Sequence, residues 1–161
     1  MIEPRAIKLK VNGEPHEAIV EPRRLLSDFL REDLNLGGVH VGCEHGSCGA
    51  CTVLLSGQPV RSCLTLAVQV DRADIMTIEG LASGGNLHPI QEAFYKNHGA
   101  QCGFCTPGQV LSAYTLLSEN PKPTEDEIRE VIAGHLCRCT GYYSIVESVK
   151  AAAEKISASG A

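Results

Sequence analysis

The chain carries eight cysteines in two sets of four, and any fold it adopts must gather each set. The first, Cys43, Cys48, Cys51 and Cys63, is spaced C-x4-C-x2-C-x11-C; the second, Cys102, Cys105, Cys137 and Cys139, is spaced C-x2-C-x31-C-x-C. In a reducing compartment, clustered cysteines bind metal or do redox chemistry more often than they form disulfides. Disulfides fit the even count, but the N-terminal MIEPRAIKLK lacks the apolar run of a secretory signal. The twin arginine Arg23-Arg24 precedes LLSDFLRED, which reads as an amphipathic helix rather than an export signal. No stretch is apolar for long enough to span a membrane. The expectation is a cytoplasmic chain whose thiols hold metal.

The first three cysteines of the first set follow the plant-type ferredoxin spacing for a 2Fe–2S cluster. Three thiolates must then converge within a few ångströms, so the backbone has to wrap closely around an inorganic core. Gly42, Gly46 and Gly49 permit positive φ and close approach of amide N–H groups, which can donate to sulfur and offset negative charge. Two structural zinc sites are the rival reading, since four-cysteine zinc sites use C-x2-C pairs. The packing of Cys43, Cys48 and Cys51 into nine residues argues against a zinc ribbon, which joins two such pairs. His45 and His135 lie beside the cysteines, but each set already has four thiols. His45 reads as a solvated or sulfur-adjacent side chain, and His135 as a helix C-terminal residue where a cation is favoured.

The patterning changes near residue 80. Residues 6–11 alternate apolar and polar, Asn12-Gly13 is a hairpin signal, and 16–20 alternates again. Leu25, Leu26, Phe29, Leu30 and Leu34 form a helical stripe. Residues 52–55 and 60–64 around SGQP suggest a second hairpin, and 75–78 a last short strand. Two hairpins flanking one helix suggest a β-grasp. Residues 79–87 read as a linker. Beyond it, Pro89 and Thr106-Pro107 open helices to about His98 and Glu119. Thr124 with Glu127 and Ser144 with Glu147 offer capping boxes for a third and a fourth helix. The expected class is α+β: a β-grasp domain over residues 1–80, then a four-helix domain over 81–161. Both Cys102-Cys105 and Cys137-Cys139 then fall on inter-helix loops that an antiparallel bundle can bring together.

Other chemistries find little support. The net charge of −5 lacks the basic surplus of a nucleic-acid binder. The loop from Gly37 to Gly42 lacks the G-K-[ST] ending of a phosphate-binding loop. Glu125, Asp126 and Glu127 suit a helix N-terminus better than paired catalytic carboxylates. No nucleophile–histidine–carboxylate arrangement can be assembled.

The two sets in this order, with GCEHGSCGACTV, QCGFCTPG and LCRCTGY, resemble the iron–sulfur subunit of the xanthine oxidase family, the molybdenum hydroxylases. The resemblance covers about residues 5 to 155. It implies a plant-type ferredoxin-like domain followed by a four-helix bundle domain, each with one 2Fe–2S cluster. Cys102, Cys105, Cys137 and Cys139 would hold the cluster nearer molybdenum, and Cys43, Cys48, Cys51 and Cys63 the one nearer flavin. Gln101 and Cys139 would contact the pterin. The implied function is to relay single electrons in a heterotrimer, from a molybdenum-pterin centre on a large subunit to FAD on a medium subunit, with dimerisation of the trimer left open. Gln109 departs from the pattern, since relatives often carry methionine there; it lies beyond the ligands. Substrate and final electron acceptor are not legible in this chain.

Overall fold

The computed structural model describes residues 3–159. The ends of the expected domains, residues 1–2 and 160–161, lie outside the described residues. Five strands form one mixed sheet in the order β2-β1-β5-β3-β4. Strands β1 (Arg5–Val11) and β2 (Glu14–Val20) pair antiparallel through Asn12-Gly13. Both turn residues have positive φ, 53° and 84°, the conformation a two-residue hairpin turn demands. Strands β3 (Thr52–Leu55) and β4 (Gln58–Arg61) form the second hairpin around Ser56-Gly57, with φ of 49° and 85°.

This hairpin differs from the sequence expectation. Gln58 and Pro59 belong to β4 rather than to the turn, and residues 62–64 form a 3-10 turn, not strand. Proline lacks a ladder donor, and β4 tolerates it because it is an edge strand. Strand β5 (Asp74–Met76) pairs parallel with β1 and antiparallel with β3, and residues 78–80 then turn as 3-10 rather than extending it.

The apolar stripe after Arg24 folds as helix α1 (Leu26–Asp28), which widens into a π-helical turn over Phe29–Asp33. Leu26, Phe29 and Leu30 are fully buried against Ile7, Leu9 and Val11 of β1, the inward-facing alternate residues of that strand. The first core draws on residues 7–75.

A second core draws on residues 81–153. It lies among α2 (Pro89–Lys96), α3 (Thr106–Glu119), α4 (Glu125–Ala133) and α5 (Tyr143–Ser159). Leu81, placed in the expected linker, is buried in this core. Thr124 caps α4 as expected, its hydroxyl accepting from Glu127 N–H while the Glu127 carboxylate takes Thr124 N–H at 2.6 Å. The Ser144–Glu147 box does not form. Helix α5 already includes Ser144; Gly141 and Tyr142 turn the chain with φ of 62° and 69°, and Thr140 Oγ1 accepts Tyr142 N–H at 3.1 Å. Glu147 pairs instead with Lys150. No helix among the described residues is long and apolar enough to cross a membrane.

Candidate metal centres

The first set of cysteines is assembled by the loop ahead of β3 and by the turn after β4. The backbone N–H groups of His45 and Cys48 point at the Cys43 sulfur, the latter at 3.4 Å, and hold its thiol down to about 6. Cys51 and Cys63 are buried, at 1% and 3% exposure. Ser62 draws the turn onto the loop, since its N–H and Oγ both donate to the Cys51 carbonyl, at 3.3 and 2.7 Å. Burial pushes the Cys63 thiol up to about 11, with the neighbouring Cys51 adding to it. Amides that favour thiolate and a pocket that resists uncompensated charge together suit sulfur ligands of a cationic centre.

The second set spans the loop before α3 and the turn between α4 and α5. Cys105 immediately precedes α3 and is buried; burial and the nearby Cys137 push its thiol up to about 12. Cys102 and Cys139 are exposed and interact with each other. Thr140 Oγ1 lies 3.2 Å from the Cys137 sulfur, and Cys137 N–H donates to Tyr142 Oη at 2.8 Å. The exposed thiols lie beside Gln101, which is also exposed.

In both sets each thiol interacts most with one partner, Cys43 with Cys48, Cys51 with Cys63, Cys102 with Cys139 and Cys105 with Cys137, and less strongly across the pairs. Among the described residues, no three His, Cys, Asp or Glu side chains converge as a single-ion site. Two pairs per set match a two-iron core, in which each iron takes two protein thiolates.

The two sets are joined by a junction that the sequence did not reveal. Leu136 N–H donates to the Cys48 carbonyl at 2.9 Å. Arg61, at the end of β4, donates to Thr52 Oγ1 and to the Gly134 carbonyl. His135 is 2% exposed, with Nε2 between Thr52 Oγ1 (3.3 Å) and Ser112 Oγ (3.2 Å). Burial, and then the Arg61 charge, hold it down to about 4, so it is neutral. This corrects the sequence reading of His135 as a cation favoured at a helix end. The close approach requires glycine: a Cβ on Gly49 would stand 2.5 Å from the Gly134 carbonyl oxygen, and one on Gly108 the same distance from the Gly49 oxygen. His40 stacks on Phe104, with centroids 5.0 Å apart, and its Nδ1 lies 2.8 Å from the Phe104 carbonyl. His45 is exposed, with Nδ1 against the Cys43 carbonyl oxygen.

The chain matches known iron–sulfur families over both of the regions that carry these cysteines. Residues 9–77 match the family described as 2Fe-2S iron-sulfur cluster binding domain, and residues 77–150 the [2Fe-2S] binding domain. The chain is 53% identical over 143 residues to the nicotine 6-hydroxylase small subunit of Paenarthrobacter nicotinovorans, covering 89% of this chain and 86% of that one. It is 51% identical over 147 residues to caffeine dehydrogenase subunit gamma of Pseudomonas sp. (strain CBB1), covering 89% and 88%. The crystal structure of quinoline 2-oxidoreductase from Pseudomonas putida 86 superimposes with a TM-score of 0.93 at 47% identity, over 97% of this chain and 98% of that one. Two cluster-binding regions in one chain define a two-cluster iron–sulfur protein. This chain belongs to the small iron–sulfur subunits of the molybdenum hydroxylases, the xanthine oxidase family, and is a non-catalytic subunit of an oxidoreductase.

Proposed function

We propose that this chain relays single electrons from a molybdenum-pterin centre on a large subunit to FAD on a medium subunit of a heterotrimer. Cys102, Cys105, Cys137 and Cys139 hold the cluster that takes electrons in, and Cys43, Cys48, Cys51 and Cys63 the one that passes them on. Each cluster, when bound, accepts and releases one electron. Within the chain the division follows the same line near residue 80, one cluster to each half.

The observation that carries this reading is the Leu136–Cys48 hydrogen bond, which ties the loop of one thiol set to the turn of the other. Exposure supports the direction of entry. Cys102, Cys139 and Gln101 present themselves on the surface, where a partner-bound pterin can be met; Gln101 and Cys139 are the proposed contacts. Phe104, Leu136 and Tyr143 are exposed apolar side chains around the same turn and suit a face covered by a partner.

The test is rapid mixing of the purified complex with its substrate. Both clusters should become reduced before the flavin, and Cys48→Ser should stop electrons short of flavin while the other cluster still reduces. Flavin reduction at the unaltered rate in Cys48→Ser would contradict the order.

A further inference from the structure

Among the described residues, four buried side-chain atoms have no hydrogen-bond partner: Thr106 Oγ1, Gln109 Nε2 and Oε1, and His135 Nδ1. Leaving a buried polar group unpaired is costly, so native interiors supply partners for nearly all of them. These four gather around one place. Thr106 and Gln109 occupy the first turn of α3, directly after Cys105, and His135 precedes Cys137 by two residues.

Gln109 is 0% exposed, so no partner subunit can reach its amide. Its backbone N–H donates to the Cys105 carbonyl at 3.1 Å, which puts the two residues one above the other on a helix face. Side chains on a helix lean toward its N-terminus, which here is the end that carries Cys105. Ser112, one turn further along the same flank, touches His135 Nε2 at 3.2 Å. Gln109 thus shares the flank of α3 that runs from Cys105 to Ser112, where His135, two residues before Cys137, packs, and the thiols of Cys105 and Cys137 interact.

We propose that Gln109 Nε2–H donates a hydrogen bond to sulfur of the cluster held by Cys102, Cys105, Cys137 and Cys139, and thereby raises that cluster's reduction potential. This rests on the proposal that those cysteines hold a 2Fe–2S cluster. One added electron places more negative charge on the cluster sulfurs, so an N–H donor stabilises the reduced form more than the oxidised form. Methionine has similar length and no N–H, so Gln109→Met isolates the donor.

The experiment is an EPR redox titration of both clusters in the assembled complex, wild type against Gln109→Met. The second-set cluster should become harder to reduce. Poised at its wild-type midpoint, its reduced-to-oxidised ratio should fall about tenfold, or about 59 mV for a one-electron couple, with the other cluster unmoved. A second measurement does not depend on that variant folding. In a Gln101→Ala background carrying amide-15N glutamine, hyperfine spectroscopy of the reduced second-set cluster should detect the Gln109 nitrogen. Unchanged midpoints in folded Gln109→Met, or no 15N coupling, would overturn the inference while leaving the cluster assignment intact. If the second cluster's signal is missing from the wild type, the assignment falls and this inference falls with it.

Discussion

Leu136 N–H donates to the carbonyl of Cys48 at 2.9 Å, and these two residues, 88 positions apart, bring the two thiol-bearing loops into direct contact. The distance between the candidate clusters is therefore set by a small junction of backbone and side-chain groups. Its parts can be tested one at a time.

Gly108 is the sharpest probe of that close approach. On an exposed helix, alanine in place of glycine stabilises by about 1 kcal/mol. Here the new Cβ would stand 2.5 Å from the Gly49 carbonyl oxygen, a backbone atom that cannot swing away. Gly108→Ala should therefore destabilise, by about 1–3 kcal/mol as overpacking does. Thermal denaturation checks the sign, and a raised Tm would contradict the packing.

His135 gives the junction a pH dependence. Its folded value of about 4 lies below the ordinary 6.5, so the neutral form is the one the fold accepts. Its contribution is complete above about pH 6.5. As pH falls from there toward 4, the unfolded chain takes up a proton that the folded chain refuses, and about 3 kcal/mol is lost. Denaturant titrations across this range should show wild type losing more stability than His135→Gln. Equal slopes would show His135 to be protonated in place.

Cys48 separates the two clusters functionally. Cys48→Ser should abolish or alter one of two EPR signals and leave the signal of the Cys102, Cys105, Cys137 and Cys139 cluster as it was. Two unchanged signals would remove Cys48 from the proposed ligands.

Thr124 tests a local device far from the sulfur chemistry. Its hydroxyl accepts Glu127 N–H at the start of α4, and Thr124→Ala should cost about 1 kcal/mol. Chemical denaturation of the full chain reads this directly, with both EPR signals expected to persist.

The contrast between Thr124 and His135 shows what the sequence discloses and what it hides. Thr124–Glu127 and Asn12-Gly13 were legible because each is settled within four residues by local backbone geometry. The parallel Ser144–Glu147 pattern misled, because the chain turns at Gly141 and Tyr142, both at positive φ, so the helix starts two residues earlier and leaves Ser144 inside it. The expected strand over 60–64 stopped at Arg61 because residues 62–64 turn, so that Ser62 meets the Cys51 carbonyl. The cysteine spacing pointed to two four-thiol sets, since ligand chemistry constrains spacing strongly. The role of His135 stayed hidden because its partner Thr52 is 83 positions away, and a neutral buried histidine has no local pattern. Gln109 stood out in the sequence only as a departure from the family pattern, set aside because it lies beyond the ligands; its burial without partners is what gives it weight.

The central claim, that both four-cysteine sets hold 2Fe–2S clusters, is tested most directly by iron, acid-labile sulfide and zinc analysis of the anaerobically purified chain. The account predicts about four irons and about four sulfides per chain, by summing two 2Fe–2S sites, with negligible zinc. A colourless protein with stoichiometric zinc and no labile sulfide would contradict it.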